Sequence, residues 1–172
     1  MIELRPPLTR DDVQRLQVGD AIVIVGDILA GRDAVLPRLA RMTPEELAAQ
    51  GIGLDGAVIF HTAVSSSGIG PTSSNKVEIE GSMPALARLG VRLHVGKGML
   101  SAATVDALAA AGSIYAVTPP VSALQTAALT GLRVLAFAEE GMEALHVLTT
   151  TGLPAVVAIA HGRSIWQGGE NR

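Results

Sequence analysis

Short apolar runs alternate with stretches of helical character, and this alternation limits the possible folds more than any other feature of the sequence. The runs are four to six residues long and are bounded by glycine, proline or polar residues, as buried strands are. They cover residues 21–25, 57–60, 91–95, 114–117 and 132–137. Strands that alternate with helices favour an α/β fold with parallel strands in its sheet.

The helices between these strands begin at recognisable signals. Thr43 stands before Pro44 and is followed three residues later by Glu46, which is the capping-box pattern at a helix start. Ser101 is in position to cap an alanine-rich helix that reaches residue 111. Further helices are predicted over residues 32–42, 72–89 and 121–129.

The alternation gives way to β structure near the end of the chain. Three short strands are predicted at 144–148, 155–159 and 164–166, with turns between them, and residues 61–71 are predicted to form a loop. The fold class is therefore α/β with a mixed sheet, parallel in the middle and antiparallel at an edge. We predict one domain over residues 1–172, with short flexible ends at 1–14 and 168–172.

Composition excludes several classes of function. Hydrophobic residues make up 48% of the chain but aromatic residues only 2%, so Ala, Val, Leu and Ile must fill the core. The net charge is −3 and no basic stripe is present, which argues against nucleic-acid binding. No apolar run reaches about 18 residues, and the N-terminus lacks an apolar signal-peptide core. We therefore expect no membrane segment and a cytoplasmic location.

The chain contains no cysteine. Disulfides, thiol catalysis and cysteine-bound iron–sulfur or zinc sites within this chain are thereby excluded. The four histidines do not occur at metal-ligand spacing, so we expect structural or solvent-facing roles for them and no metal site. They are His61, His94, His146 and His161.

A glycine- and hydroxyl-rich segment is the first candidate site. Glycines at 68 and 70 let the backbone approach a ligand closely, and Thr72, Ser73 and Ser74 are predicted to open a helix. Free N–H groups at a helix start favour an anion such as a carboxylate or phosphate, and Lys76 follows Thr72 by four residues, on the same side. The alternative is a surface loop with an ordinary helix cap. The spacing is not that of a Walker phosphate loop.

Two further cations follow predicted strands. Lys97 lies between two glycines just past the strand that ends at residue 95, where open α/β sheets usually bind ligands. Arg32 follows the first strand and is able to grip a carboxylate with two hydrogen bonds. A tight turn with a solvated lysine, and a surface arginine beside a helix-start aspartate, are the alternatives. Taken together, Arg32, Lys76 and Lys97 are expected to converge on a dianionic ligand.

Six segments occur in an order and at a spacing that resemble one known family. They lie at 30–34, 70–78, 95–98, 120–124, 140–144 and 154–157, so the resemblance covers about residues 15–167. The chain resembles the C-terminal domain of class I, iron–sulfur fumarases and the β subunit of L(+)-tartrate dehydratase. Each motif is weak by itself, whereas the ordered series is specific.

The resemblance implies a swivelling β/β/α domain and a hetero-oligomer. It implies a partner α subunit with a 4Fe-4S cluster whose open iron acts as a Lewis acid in water elimination from a 2-hydroxydicarboxylate. Arg32, Lys76 and Lys97 would hold the carboxylates of this small substrate. Thr72 matches the proposed proton-abstracting threonine of the family, with Ser73 beside it. The chain would be a hydro-lyase subunit that is inactive without its partner.

Several positions depart from the family pattern. Lys76 replaces an arginine, Ser73 replaces a second threonine, and Leu36 stands in place of a histidine. These departures suggest a divergent substrate or reduced activity. Two other functions therefore stay open: a non-catalytic anion-binding or regulatory module derived from the family, and a structural partner that stabilises an α subunit.

Overall fold

The computed structural model describes residues 1–167, which form nine strands and six α-helices. The strands are β1 (Ile2–Leu4), β2 (Ala21–Gly31), β3 (Val58–Ser65), β4 (Gly68–Thr72), β5 (Leu93–Gly96), β6 (Ile114–Val117), β7 (Leu129–Ala136), β8 (Leu145–Ala160) and β9 (Arg163–Ser164). The helices are α1 (Arg10–Gln14), α2 (Leu36–Leu39), α3 (Pro44–Ala49), α4 (Lys76–Arg88), α5 (Ala102–Ala111) and α6 (Ser122–Ala127), and a 3₁₀ segment spans Ala138–Glu143.

Four parallel strands form the centre of the sheet. β2 pairs with β3, β3 with β5, and β5 with β6, all in parallel. The long strand β8 runs antiparallel to both β6 and β2, so the pairing closes into a ring. β7 and β9 add antiparallel pairs to β8. The predicted α/β fold with a mixed sheet and a β-rich C-terminal end is confirmed.

Alternate residues of the parallel strands face different cores, because side chains of a strand point to opposite faces in turn. Phe60, Val95 and Ala116 belong to one cluster with apolar residues of β2 and β8. On the other face, Ile59 packs with α2 and α3, and Tyr115 packs with α4 and α5. Helices α2, α3, α4 and α5 thus cover the outer face of the closed sheet, and aliphatic side chains fill most of both layers, as composition required.

Both predicted helix caps are present. The Thr43 hydroxyl accepts from the Glu46 amide at 3.2 Å, and the Glu46 carboxylate accepts from the Thr43 amide at 2.8 Å. The Ser101 hydroxyl accepts from the Thr104 amide at 3.3 Å. These bonds satisfy amide groups that have no partner within the helix itself, which is why the cap residues were readable in the sequence.

Several predicted boundaries are wrong. The strand predicted over 21–25 does not stop before Gly26; as β2 it continues to Gly31 through a bulge, where Gly26 adopts a φ of 116°. Consequently the helix predicted over 32–42 is reduced to Leu36–Leu39. The predicted loop 61–71 contains the end of β3 and most of β4, which form a hairpin.

The strands predicted at 144–148 and 155–159 are one continuous strand, β8. Pro154 does not interrupt it, because proline is tolerated where its missing N–H is not needed for pairing; its carbonyl instead accepts from the Thr118 hydroxyl at 2.8 Å. Residues 1–14, predicted as a flexible end, contain β1 and α1. The other predicted flexible end, 168–172, lies outside the described residues.

Gly68 is the first residue of β4 and packs closely against Thr126 of α6. It adopts a φ of 123°, and a Cβ atom placed there would lie 2.5 Å from the Thr126 hydroxyl oxygen. That hydroxyl accepts from the neighbouring Ile69 amide at 3.1 Å. A side chain at position 68 would therefore disrupt this contact. None of the helices in residues 1–167 has the length and apolar character needed to cross a membrane.

Candidate functional site

The carboxyl ends of the four parallel strands meet at one edge of the sheet. Gly31 pairs with His61, and Gly96 pairs with Val117. β3 and β5 are aligned through Phe60 and Val95, one residue earlier. The segments that follow these strand ends contain the cations and hydroxyls predicted as site residues, so the sheet brings those segments to a common edge.

Thr72 and Ser73 lie at the end of β4, not at a helix start as predicted. Thr72 pairs with Thr62 of β3, which keeps the chain extended, and α4 begins only at Lys76. The Ser73 amide donates to the His61 carbonyl at 2.9 Å, and its hydroxyl donates to the Asp33 carboxylate at 3.1 Å. Both hydroxyl residues are buried. Sheet pairing therefore positions these side chains.

Arg32 bridges two parts of this edge. Its Nη1 donates to the Pro71 carbonyl at 3.3 Å, and its Nε lies 3.6 Å from a Glu143 carboxylate oxygen. The side chain is 24% exposed, while Nε itself is buried and has no hydrogen-bond partner in the described part of the chain. Arg32 is thus tied both to the residue before Thr72 and to the 3₁₀ segment, and it retains donors for an anion.

Lys76 and Lys97 line one cavity of about 230 Å³. We name it the lysine pocket; its lining residues are Ser74, Lys76, Ile79, Lys97, Gly98, Met99 and Leu100. These two residues are the only lysines among the 172 residues of the chain. Their placement in one pocket concentrates positive charge, as an anion site requires. Arg32, Thr72 and Ser73 do not line this pocket, so the five predicted residues form two adjoining groups.

Two acidic residues contact the group formed by Arg32, Thr72 and Ser73, and the sequence did not indicate this role for them. Asp33 accepts from Ser73, and Glu143 faces Arg32. Both belong to segments that carry the family resemblance, and that was the available signal. The 3₁₀ segment is held a second time by Arg38, whose Nη1 lies 3.1 Å from Glu139 and 3.2 Å from Glu140.

A buried histidine pair lies beside the site. His61 Nε2 and His94 Nδ1 are 3.0 Å apart, and the other nitrogen of each ring has no hydrogen-bond partner. Whichever ring donates, one buried N–H and one buried lone pair stay unpaired. Burial lowers the pKa of His61 to about 4 and lowers that of His94 as well, where the charge of His61 adds to the effect. Both rings are therefore neutral at pH 7.

Residues 1–167 contain no group of three or more His, Asp or Glu side chains placed to hold a metal ion. The chain also lacks cysteine, the usual ligand of iron–sulfur clusters. The donor set of this chain does not fit a 4Fe-4S cluster. The chemistry that its own site residues offer is anion binding by cations, together with hydroxyl groups held next to those cations.

Comparison with known proteins gives a consistent result. The sequence profile of the family described as Fumarase C-terminus matches residues 1–169. The chain is similar to a Geobacillus stearothermophilus protein named "Putative fumarate hydratase class I", with 30% identity over 126 residues. This match covers 67% of the chain but only 23% of that relative. It is also similar to the L(+)-tartrate dehydratase subunit beta of Shigella boydii serotype 4 (strain Sb227), with 27% identity over 93% of the chain and 77% of that subunit.

Proposed function

The chain belongs to the Fumarase C-terminus family, and we propose that it is the β subunit of a heteromeric hydro-lyase that acts on a 2-hydroxydicarboxylate. The proposal rests on the composition of the edge where the parallel strands end. There, three cations and two hydroxyl residues occupy adjoining positions on segments from β2, β4 and β5. Such an edge is suited to hold a small dianion.

Each carboxylate of the substrate would be bound by a different set of cations. Lys76 and Lys97 would hold one carboxylate at the mouth of the lysine pocket, where both side chains are exposed. Arg32 would hold the other, because its guanidinium group has five donors and its contact with the Pro71 carbonyl uses one. Charge-assisted hydrogen bonds of this kind are about twice as strong as neutral ones.

The hydroxyl residues would serve proton transfer. In the elimination, a carbon next to a carboxylate loses a proton, the neighbouring carbon loses hydroxide, and a double bond forms between them. Thr72 would receive that proton as an alkoxide, after its own hydroxyl proton has been lost to solvent, and an alkoxide requires positive charge nearby. Arg32 contacts the carbonyl of the preceding residue, Pro71, and would supply that charge. Ser73, held by Asp33, would fix the position of this segment.

The partner would carry the cluster. Since the donor set of this chain does not fit a 4Fe-4S cluster, we assign that cofactor to an α subunit docked over the strand-end edge. The name of the Shigella relative, a β subunit, supports a heteromeric assembly. The chain spans less than a quarter of the Geobacillus relative, which leaves room in that longer protein for a second catalytic part.

A tagged copy of the chain, expressed in its native host, tests this assignment. We expect the purified complex to contain a cysteine-bearing partner, to absorb as an iron–sulfur protein, and to dehydrate at least one compound from a panel of 2-hydroxydicarboxylates. The chain purified alone should do neither. Iron–sulfur absorbance and turnover by the chain alone would contradict the proposal.

A non-catalytic anion-binding module derived from the family is the second candidate. It is favoured by the departures at Lys76 and Leu36, and by the contact of Arg32 with Glu143, which competes with a substrate carboxylate for the guanidinium group. This candidate predicts that the chain binds dicarboxylates, while the complex turns none of them over. The same panel therefore distinguishes the two candidates.

A further inference from the structure

We infer that the lysine pocket selects dicarboxylates bearing an alkyl substituent beside the clamped carboxylate, in preference to unsubstituted or hydroxylated ones. The inference rests on the proposed function and specifies its substrate class. Three features of the pocket carry it: the chemistry of its walls, its volume and the way its floor is held in place.

The walls of the pocket are mainly apolar apart from the two lysines. Ile79 and Leu100 are buried, and Met99 is 48% exposed at the mouth. Apart from the lysines, Ser74 is the only residue among the lining with a polar side chain. A substituent with a hydroxyl group would lose hydrogen bonds to water here and find few replacements, which makes its burial unfavourable.

The volume exceeds what a carboxylate needs. Each small group takes roughly the 30 Å³ share of one water molecule, so a carboxylate of three heavy atoms occupies about 90 Å³. The pocket has a volume of about 230 Å³. The pocket therefore has space beside a bound carboxylate for a short alkyl substituent. An unsubstituted four-carbon dicarboxylate would leave this space to water in contact with apolar walls.

The floor of the pocket is fixed by contacts outside it. Ile79 and Leu100 belong to the core cluster that α4 and α5 form with Tyr115. The Tyr115 hydroxyl donates to the Gly98 carbonyl at 3.2 Å, and the Glu80 carboxylate accepts from the Ser101 amide. A fixed floor allows selection by shape, while Met99, with its flexible side chain, is able to adapt to the end of the substituent.

Binding of unreactive saturated dicarboxylates to the full chain tests the inference. We would titrate succinate, 2-methylsuccinate, 2-propylsuccinate and tartrate, and follow them by calorimetry and by NMR chemical-shift changes. Burial of each methylene in an apolar site is expected to tighten binding about fourfold. Affinity should therefore rise from succinate to 2-propylsuccinate, and tartrate should bind no more tightly than succinate.

Two methionines of equal exposure provide a matched pair of variants. Met99→Ser removes an apolar wall of the pocket and should reduce the gain per methylene. Met142→Ser, at a position 49% exposed on the 3₁₀ segment, should leave that gain unchanged. An equal reduction in both variants would overturn the inference.

The remaining outcomes separate this inference from the proposed function. If succinate binds and added methylenes bring no gain, or if tartrate binds more tightly than 2-propylsuccinate, the substrate class is wrong and the dicarboxylate site stands. If none of the four compounds binds to the chain, the lysine pocket is not a dicarboxylate site and the inference falls, while turnover by the purified complex still decides the proposed function.

Discussion

Replacement of Lys97 by alanine separates substrate binding from folding. Lys97 is exposed between two glycines, and its ammonium group forms no hydrogen bond or ion pair with any residue of 1–167. The folded chain therefore loses few stabilising contacts when the side chain is removed. Its free energy of unfolding should change by less than about 0.5 kcal/mol.

The expected effect on the assembled enzyme is much larger. A hydrogen bond from an ammonium group to a carboxylate contributes about 1.5–3 kcal/mol. At about 1.4 kcal/mol per tenfold change, its loss lowers kcat/KM by roughly 10- to 150-fold. Arg32 is a less selective probe, because its replacement also breaks the contacts with Pro71 and Glu143.

The assay combines steady-state kinetics of the complex with thermal unfolding of the chain. Arg163→Ala is the matched control: Arg163 is an exposed cation on β9, which pairs with the far end of β8, away from the strand ends that form the site. It should leave both kcat/KM and stability unchanged. If Lys97→Ala leaves the activity of the complex intact, the lysine pocket is not part of the active site and the anion-binding module becomes the better proposal.

The remaining predictions concern the pocket, the histidine pair and the hairpin. Lys76→Arg restores the residue of the family pattern, so activity of the complex should hold or rise; its abolition in an intact complex would indicate a pocket shaped for another substrate. His61 has a folded pKa of about 4, below the ordinary 6.5, so the unfolded chain takes up protons first as the pH falls. Protonation of His61 alone should decrease stability between about pH 6.5 and pH 4, by up to about 3 kcal/mol, and His94, whose pKa is lowered as well, adds to this loss. Urea denaturation should show a smaller loss in His61→Leu/His94→Leu, and an equal loss would refute the assignment. Gly68→Ala should lower the free energy of unfolding by about 1–3 kcal/mol through strain at a positive φ and overlap with α6, whereas Gly81→Ala, in open space on α4, should raise it by about 0.5–1 kcal/mol. Similar changes in the two variants would contradict the contact made by Gly68.

Local sequence patterns predicted the features that depend on interactions between residues close together in the chain. The apolar runs marked the parallel strands, and the cap residues Thr43 and Ser101 marked two helix starts, because capping bonds join residues only three positions apart. The absence of cysteine excluded a cysteine-bound iron–sulfur site within this chain. The ordered motifs identified the family, and those at 30–34, 70–78 and 95–98 each include the residue where a strand ends.

Only the tertiary structure determined the strand limits, backbone conformations and side-chain contacts that depend on residues distant in the sequence. Whether Gly26 ends a strand or makes a bulge depends on pairing with β8, more than a hundred residues away. The extended conformation of Thr72, read as a helix start, comes from its pairing with β3. The lysine pocket and the contact between His61 and His94 exist because neighbouring parallel strands are aligned in a particular register. Register is set by the burial of side chains from the whole sheet at once, and that information is not contained in any short segment.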